Sequence, residues 1–141
     1  MSLPFTDYSE NALVEQPAIA LFGELWGNAN TVNCLHESFG PGGTLGREAD
    51  SEVVLVSRLR PALVRLNPGV PAGTIDAAVE ELVRDRTSMG LVNANRDIYK
   101  LLKDGVRVEA RNQWGEPTVD TVCVIDWDNP DNNDFLLVSQ L

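Results

Sequence analysis

Near the start of the chain, apolar residues recur at Val14, Ala18, Leu21 and Leu25, spaced i, i+4, i+7, i+11. That spacing sets them in one stripe of an amphipathic helix. Ser9 precedes the stripe as an N-cap, and Glu10 lies in the first turn, where the helix dipole favours a carboxylate. Pro17 interrupts the pattern. A proline nitrogen has no hydrogen to give the Leu13 carbonyl, and an interior proline costs about 3 kcal/mol. The sequence therefore predicts either a kink near Leu13 or a helix proper that starts at Pro17, with Gly27 ending it. Phe5 and Tyr8 are the expected anchors of an otherwise loosely held start. A short strand is expected around 32–35, followed by a glycine-rich connector at 40–47.

The middle of the chain carries three further helical patterns. Val56, Leu59, Leu63 and Leu66 form one apolar face, capped by Asp50 or Ser51, kinked by Pro61 and stopped by Asn67-Pro68-Gly69. Pro71 opens the next, with Ile75, Val79, Leu82 and Val83 inward and Glu80, Glu81 and Arg84 outward. A third starts near Asn93, turns Ile98, Leu101 and Leu102 inward, and ends at Gly105. The pattern then changes period. Residues 106–111 and 118–125 are rich in β-branched residues and flank a polar turn, which predicts a hairpin. Residues 122–125 and 135–138 are continuous apolar runs, as in strands covered on both faces, so a third strand is expected to continue the hairpin.

Charge divides the chain the same way. All eleven Lys and Arg residues fall between Arg47 and Arg111. Residues 1–46 carry five acids and no base, and residues 112–141 carry six acids and no base. Two readings are open: an accident of a small sample, or acidic flanks that form one unit around an inserted, nearly neutral middle. The net charge of −10 excludes attraction to nucleic acid by overall charge, because phosphate binding needs clustered cations. At 43% hydrophobic and 23% charged, the composition is that of an ordinary globular domain. No window is apolar enough for a membrane helix, and the start lacks a basic, then apolar, leader. With two cysteines, Cys34 and Cys123, a reducing cytoplasm is expected.

Several chemical motifs fail on spacing. No Gly-Lys-Ser/Thr follows the glycines of 40–46, so they do not make a phosphate-binding loop. Asp126 and Asp128 match the first positions of a calcium loop, but Pro130, Asp131 and Leu137 stand where Asp, Gly and Glu are required. The acidic stretch holding Asp126, Asp128, Asp131 and Asp134 is better read as a turn, and as a metal site it is the weakest of three hypotheses. Cys34, His36 and Cys123 lack zinc spacing and make no activated Cys–His pair. Glu15 shares a helix face with Ala18 and Phe22 at the margin of the apolar stripe. A carboxylate there faces solvent or points along a sheet end into a polar cleft.

Taken in order, 9–16, 34–37 (Cys-Leu-His-Glu), 44–47 (Thr-Leu-Gly-Arg), Asn67-Pro68, Asn95-Arg96 with 101–106, and 124–130 with 132–140 form a set. With that set the chain resembles the N-terminal region of the restriction (R) subunit of type I restriction–modification enzymes. The resemblance implies an α+β fold with an incomplete restriction-endonuclease-like core, made of the N-terminal helix and C-terminal strands and carrying a helical insertion of about three helices. It divides the chain into 1–46 (first helix and connector), 47–105 (helical insertion) and 106–141 (hairpin and first core strand).

The function implied is that of a PD-(D/E)xK nuclease that cuts DNA with Mg²⁺, with an ATP-dependent translocase in the same parent polypeptide. DNA and the modification and specificity subunits are the implied partners. No Glu-x-Lys occurs in the sequence. The catalytic elements are expected to follow the strand that ends this chain, which in isolation should be inert; its oligomeric state, a monomer among the options, is left open by the sequence. Glu15 matches the family's first-helix carboxylate that approaches the metal. Arg47, Arg58, Arg65, Arg84 and Arg86 would face DNA or a neighbouring subunit, with solvated helix charges as the alternative. The competing functional reading is a non-enzymatic acidic interaction module with a closed sheet and a broad apolar patch.

Overall fold

The computed structural model describes residues 8–141, so the expected anchor Phe5 lies outside the described residues. Helices and strands mix, as expected of an α+β chain. The chain divides into two compact units, one made of the residues up to 49 together with 135–141, the other of 50–134.

In the first unit, Pro17 decides how the opening helix forms. Helix α1 is Gln16–Trp26, with Pro17 in its first turn, and a single π-helical turn, Asn11–Glu15, precedes it. Gln16 donates its N–H to the Asn11 carbonyl, one residue wider than an α-turn. The wider turn sits where the proline removes a donor. Ser9 caps the start, its Oγ accepting from the Ala12 N–H at 3.2 Å.

The buried stripe of this helix is rotated from the expected one. Val14, Leu21 and Leu25 are exposed, whereas Glu15, Ala18, Ile19, Phe22 and Trp26 are half-buried. The aromatic pair decides the rotation, because rings remove more apolar surface from water than leucines do. Trp26 lies between Phe22 and Phe135, with ring centroids 4.8 and 4.4 Å away.

Strand β1 (Thr31–Asn33) pairs in parallel with β4 (Leu137–Ser139), Thr31 opposite Leu137 and Asn33 opposite Ser139. The Cys34 N–H extends the ladder to the Ser139 carbonyl at 2.8 Å. The glycine-rich connector closes on itself. Gly40 N–H donates to the Arg47 carbonyl, and Ser38 and Thr44 exchange two further bonds. At Gly43 a Cβ would stand 2.2 Å from the Ser38 carbonyl oxygen, so that position admits only glycine.

The second unit holds α2 (Val56–Leu66), α3 (Ala72–Val83), α4 (Leu91–Asp104) and the hairpin of β2 (Val106–Arg111) with β3 (Pro117–Val122). Its core is Leu63, Ile75, Ala78, Val79, Leu82, Val106 and Val122, flanked by Leu59, Leu101, Val108 and Val124. Helix α2 runs unbroken across Pro61, an exposed position. It begins five residues after Ser51, with no side-chain cap. Val83 is exposed rather than inward. Gly105 ends α4 at φ 85°, its N–H bonded to the Leu101 carbonyl, and a Cβ there would meet the Val122 carbonyl oxygen at 2.8 Å.

The expected third strand of the hairpin does not form. The two sheets are separate, β1–β4 and β2–β3. One buried side chain explains why β3 stops at Val122. The Asn67 Oδ1 accepts from the Cys123 N–H at 2.7 Å, and its Nδ2 donates to the Cys123 carbonyl at 2.9 Å and the Leu63 carbonyl at 2.8 Å. An amide thus takes the bonds another strand would have taken, and it ties the end of α2 to the end of the hairpin.

Replacing Asn67 by Ala takes the partner from the part-buried N–H and carbonyl of Cys123, at about 1–3 kcal/mol each, while the Leu63 carbonyl keeps the Asn67 N–H. The variant should lose at least about 2 kcal/mol in a urea unfolding titration. A midpoint equal to that of the parent would show that the clasp is dispensable.

Candidate functional site

Glu15 closes the π-turn one residue before α1, and that places its carboxylate over the end of β4. It accepts a hydrogen bond from the Gln140 Nε2. Gln140 is the one non-glycine among the described residues with a left-handed φ, 57°. Such a backbone is uncommon outside glycine and turns the chain sharply just past the strand. A groove of about 210 Å³ runs between the two elements, lined by Glu15, Ala18 and Ile19 on one side and Leu137, Ser139 and Gln140 on the other. The site is therefore a half-buried carboxylate at a strand's C-terminal end, with apolar walls. Sequence spacing placed Glu15 at the margin of a stripe and missed Gln140. The only signal for Gln140 was an amide following the apolar run at 135–138.

A hard divalent cation needs about six oxygen ligands, with water supplying some of them. Among the described residues no group of three or more His, Cys, Asp or Glu is placed to hold a metal. The described residues therefore do not by themselves make a Mg²⁺ site. Glu15 offers one carboxylate and Gln140 one amide oxygen.

The acidic stretch before β4 is occupied by its own backbone. Asp126 accepts from the Asn132 side chain at 2.9 Å and from the Asn129 and Asp128 N–H groups. These bonds, the Asn132 one foremost, hold its carboxyl below the usual range. Asn133 clips the two ends of the stretch, accepting from the Asp126 N–H and donating to the Asp126 carbonyl. Cys34 is buried, and burial pushes its thiol pKa up, away from nucleophilic chemistry. His36 is exposed.

Each of the five arginines singled out from the sequence has an intramolecular partner. Arg47 is buried and forks onto Glu37, with Nε–Oε2 at 2.7 Å, and its guanidinium lies 5.7 Å from the Phe39 ring centre. Arg86 is 7% exposed. It donates to Asp97 at 2.6 Å and to the Glu81 and Arg84 carbonyls at 2.7 and 2.9 Å, closing the C-terminus of α3. Arg84 bridges Glu81 and Asp97, Arg58 pairs with Asp134, and Arg65 donates to the Asn132 carbonyl. Arg58, Arg65 and Arg84 keep part of their surface in water.

Residues 7–141 match the family described as the type I restriction enzyme R protein N terminus. The chain is 39% identical over 99 residues to the type I restriction enzyme HindI endonuclease subunit of Haemophilus influenzae. That alignment covers 70% of this chain and 9% of the relative. No solved structure matches.

The ion pairs also carry a pH dependence. The Arg47 hydrogen bond holds the Glu37 carboxyl below its ordinary range, the Arg86 hydrogen bond does the same for Asp97, and Asp126 is lowered as described. A carboxyl whose pKa is lower folded than unfolded adds stability above the unfolded value, about 4. That stability is lost as pH falls through the lower folded value. The urea midpoint should therefore be level from about pH 7 to 5 and drop below about pH 4. Asp97→Asn should shrink the drop; an acid limb of unchanged depth would contradict the assignment.

Proposed function

This chain belongs to the type I restriction enzyme R protein N-terminal family, and from that premise we propose that it forms the opening part of a DNA-cleaving R subunit. In this reading, α1 and the parallel β1–β4 pair are the first pieces of a restriction-endonuclease-like core. The 50–134 unit is carried between the two strands. Cleavage in the parent subunit uses Mg²⁺, and an ATP-dependent translocase moves the DNA. The modification and specificity subunits and DNA are its partners, in the cytoplasm. Among the described residues no helix is long and apolar enough to cross a membrane.

The observation that carries the proposal is the position of Glu15. A carboxylate on the first helix, half-buried and held by Gln140 at the C-terminal end of a strand, sits where catalytic groups of open sheets gather. Its task here is to hold a negative charge at the strand end, and Gln140 fixes its rotamer. The second carboxylate and the lysine of a PD-(D/E)xK site are not supplied by the described residues, so no metal-dependent step is assigned to this chain alone. The exposed apolar side chains Leu13, Val14, Leu21 and Leu25 on the opening helix are the surface that further elements of the subunit would cover. The alternative, an acidic interaction module, requires a closed sheet. The described sheets have two strands each and leave an edge on every strand.

The test uses the full-length R subunit in its complex. Glu15→Gln should lower DNA cleavage on the order of a hundredfold, as for loss of a charge-stabilising group at an active site, and leave ATP hydrolysis unchanged. Cleavage at the parent rate would remove Glu15 from the site. The 141-residue chain with Mg²⁺ should cut no DNA, and robust cutting abolished by Glu15→Ala would show a complete active site within it.

A further inference from the structure

The eleven cations of the chain divide sharply by position. Arg47, Arg58, Arg60, Arg84 and Arg86 are in ion pairs, and Arg65 donates to a carbonyl. Arg96, Lys100, Lys103 and Arg107 form no ion pair within 4 Å among the described residues, and Arg111 bonds only the Gly115 carbonyl. All five of these lie on two consecutive elements, α4 and β2.

Four of them, Arg96, Lys100, Lys103 and Arg107, also share one face. Arg96, Lys100 and Lys103 are spaced i, i+4, i+7 and form a single exposed row on α4, interleaved with exposed Tyr99 and preceded by Val92. Lys100 and Arg107 line the same concavity, of about 550 Å³, with Glu81, Asp97 and Asp104. Arg96 and Lys100 line the next one along the helix. Two of those three acids are already taken, since Glu81 and Asp97 accept from Arg84 and Arg86. Asp97 also feels the charge of Lys100, and Asp104 is the one of the three acids in no ion pair among the described residues. A chain of net charge −10 thus leaves a cationic face on its middle unit.

We propose that this α4–β2 face binds the phosphate backbone of double-stranded DNA, with Arg96, Lys100, Lys103 and Arg107 as the contacts. The R-subunit reading enters only in the choice of DNA as the polyanion. The row from Arg96 to Lys103 spans about 10 Å at 1.5 Å per residue. A duplex presents a phosphate charge about every 1.7 Å of its axis, so the row meets several phosphates at once. An acidic protein fits less well, because the centres of protein interfaces are depleted in charge, and here charge is the centre. The contacts carry no base recognition. Their role is to position the duplex on this unit while sequence is read elsewhere.

Fluorescence anisotropy of a labelled duplex with the whole chain, in EDTA and across a salt series, tests this. Lys100→Gln with Arg107→Gln should weaken binding on the order of tenfold or more at low salt. It should also reduce the slope of log K against log salt by about 1.8, two contacts at about 0.9 each. A control of equal net charge, Ser57→Glu with Ala72→Glu, both exposed, should leave that slope unchanged. If the first pair fails to fold by circular dichroism, Arg96→Gln with Lys103→Gln replaces it, with the same expectation. The proposal is overturned if the chain binds no duplex at low salt, or if variant and control share one slope. It is equally overturned if polyglutamate displaces the chain better than unlabelled duplex does, which would give the face to an acidic protein. Because no metal is present and nothing is cut, failure here leaves the Glu15 reading standing. Loss of cleavage in Glu15→Gln with DNA binding intact separates the two in the other direction.

Discussion

A parallel strand pair cannot be joined by a tight turn; it needs a crossover. The pairing of Thr31–Asn33 with Leu137–Ser139 imposes that constraint on everything between. Here the crossover includes a unit of its own, residues 50–134, with a separate apolar core and a separate hairpin. Three-residue strands in a two-stranded sheet are marginal by themselves. The aromatic contact from Trp26 to Phe135 and the side-chain bond from Glu15 to Gln140 add side-chain ties between α1 and the returning strand. The same return that closes the unit delivers the amide that holds the candidate carboxylate. Fold and site share one cause.

A second regularity is the division of labour among charges. Within 50–104, Arg60, Arg84 and Arg86 are spent on Asp76, Glu81 and Asp97. Arg86 serves both the Asp97 pair and the carbonyls at the end of α3, and Arg58 reaches the acidic stretch before β4. Buried or half-buried guanidinium groups of this kind hold elements in place, because their donors match carboxylates and carbonyls in a fixed fork. Cations left over after such pairing are the ones available to a partner. In this chain they are consecutive in sequence, and Arg96, Lys100, Lys103 and Arg107 share one face of the middle unit.

Much of this was legible in the residues. Helical periodicity located α2, α3 and α4 and their inward residues apart from Val83, and the turn chemistry of 112–117 located the hairpin. Those signals are local, and local signals survive folding. The ordered set of short motifs pointed to the R-subunit family, which the match over residues 7–141 shows. What was not legible depends on distant partners. The parallel pairing, the end of β3 at Asn67 and the internal use of Arg47 and Arg86 all involve contacts that no periodicity encodes. The rotation of α1 turned on two aromatic rings, whose area outweighs a well-spaced row of leucines. Glu15 was visible as a carboxylate on a stripe's edge, but its tie to Gln140 spans nearly the whole chain.

The central claim is that residues 135–141 return to pair beside β1 and thereby build the site around Glu15. Amide hydrogen exchange followed by NMR on the 141-residue chain tests it directly. The Cys34 amide, bonded to the Ser139 carbonyl, should exchange slowly, and nuclear Overhauser contacts should join Val32 to Val138. Removing residues 135–141 should release the Cys34 amide to fast exchange and leave the amides of the β2–β3 hairpin protected. A Cys34 amide that exchanges as fast in the intact chain as in the truncated one would contradict the account.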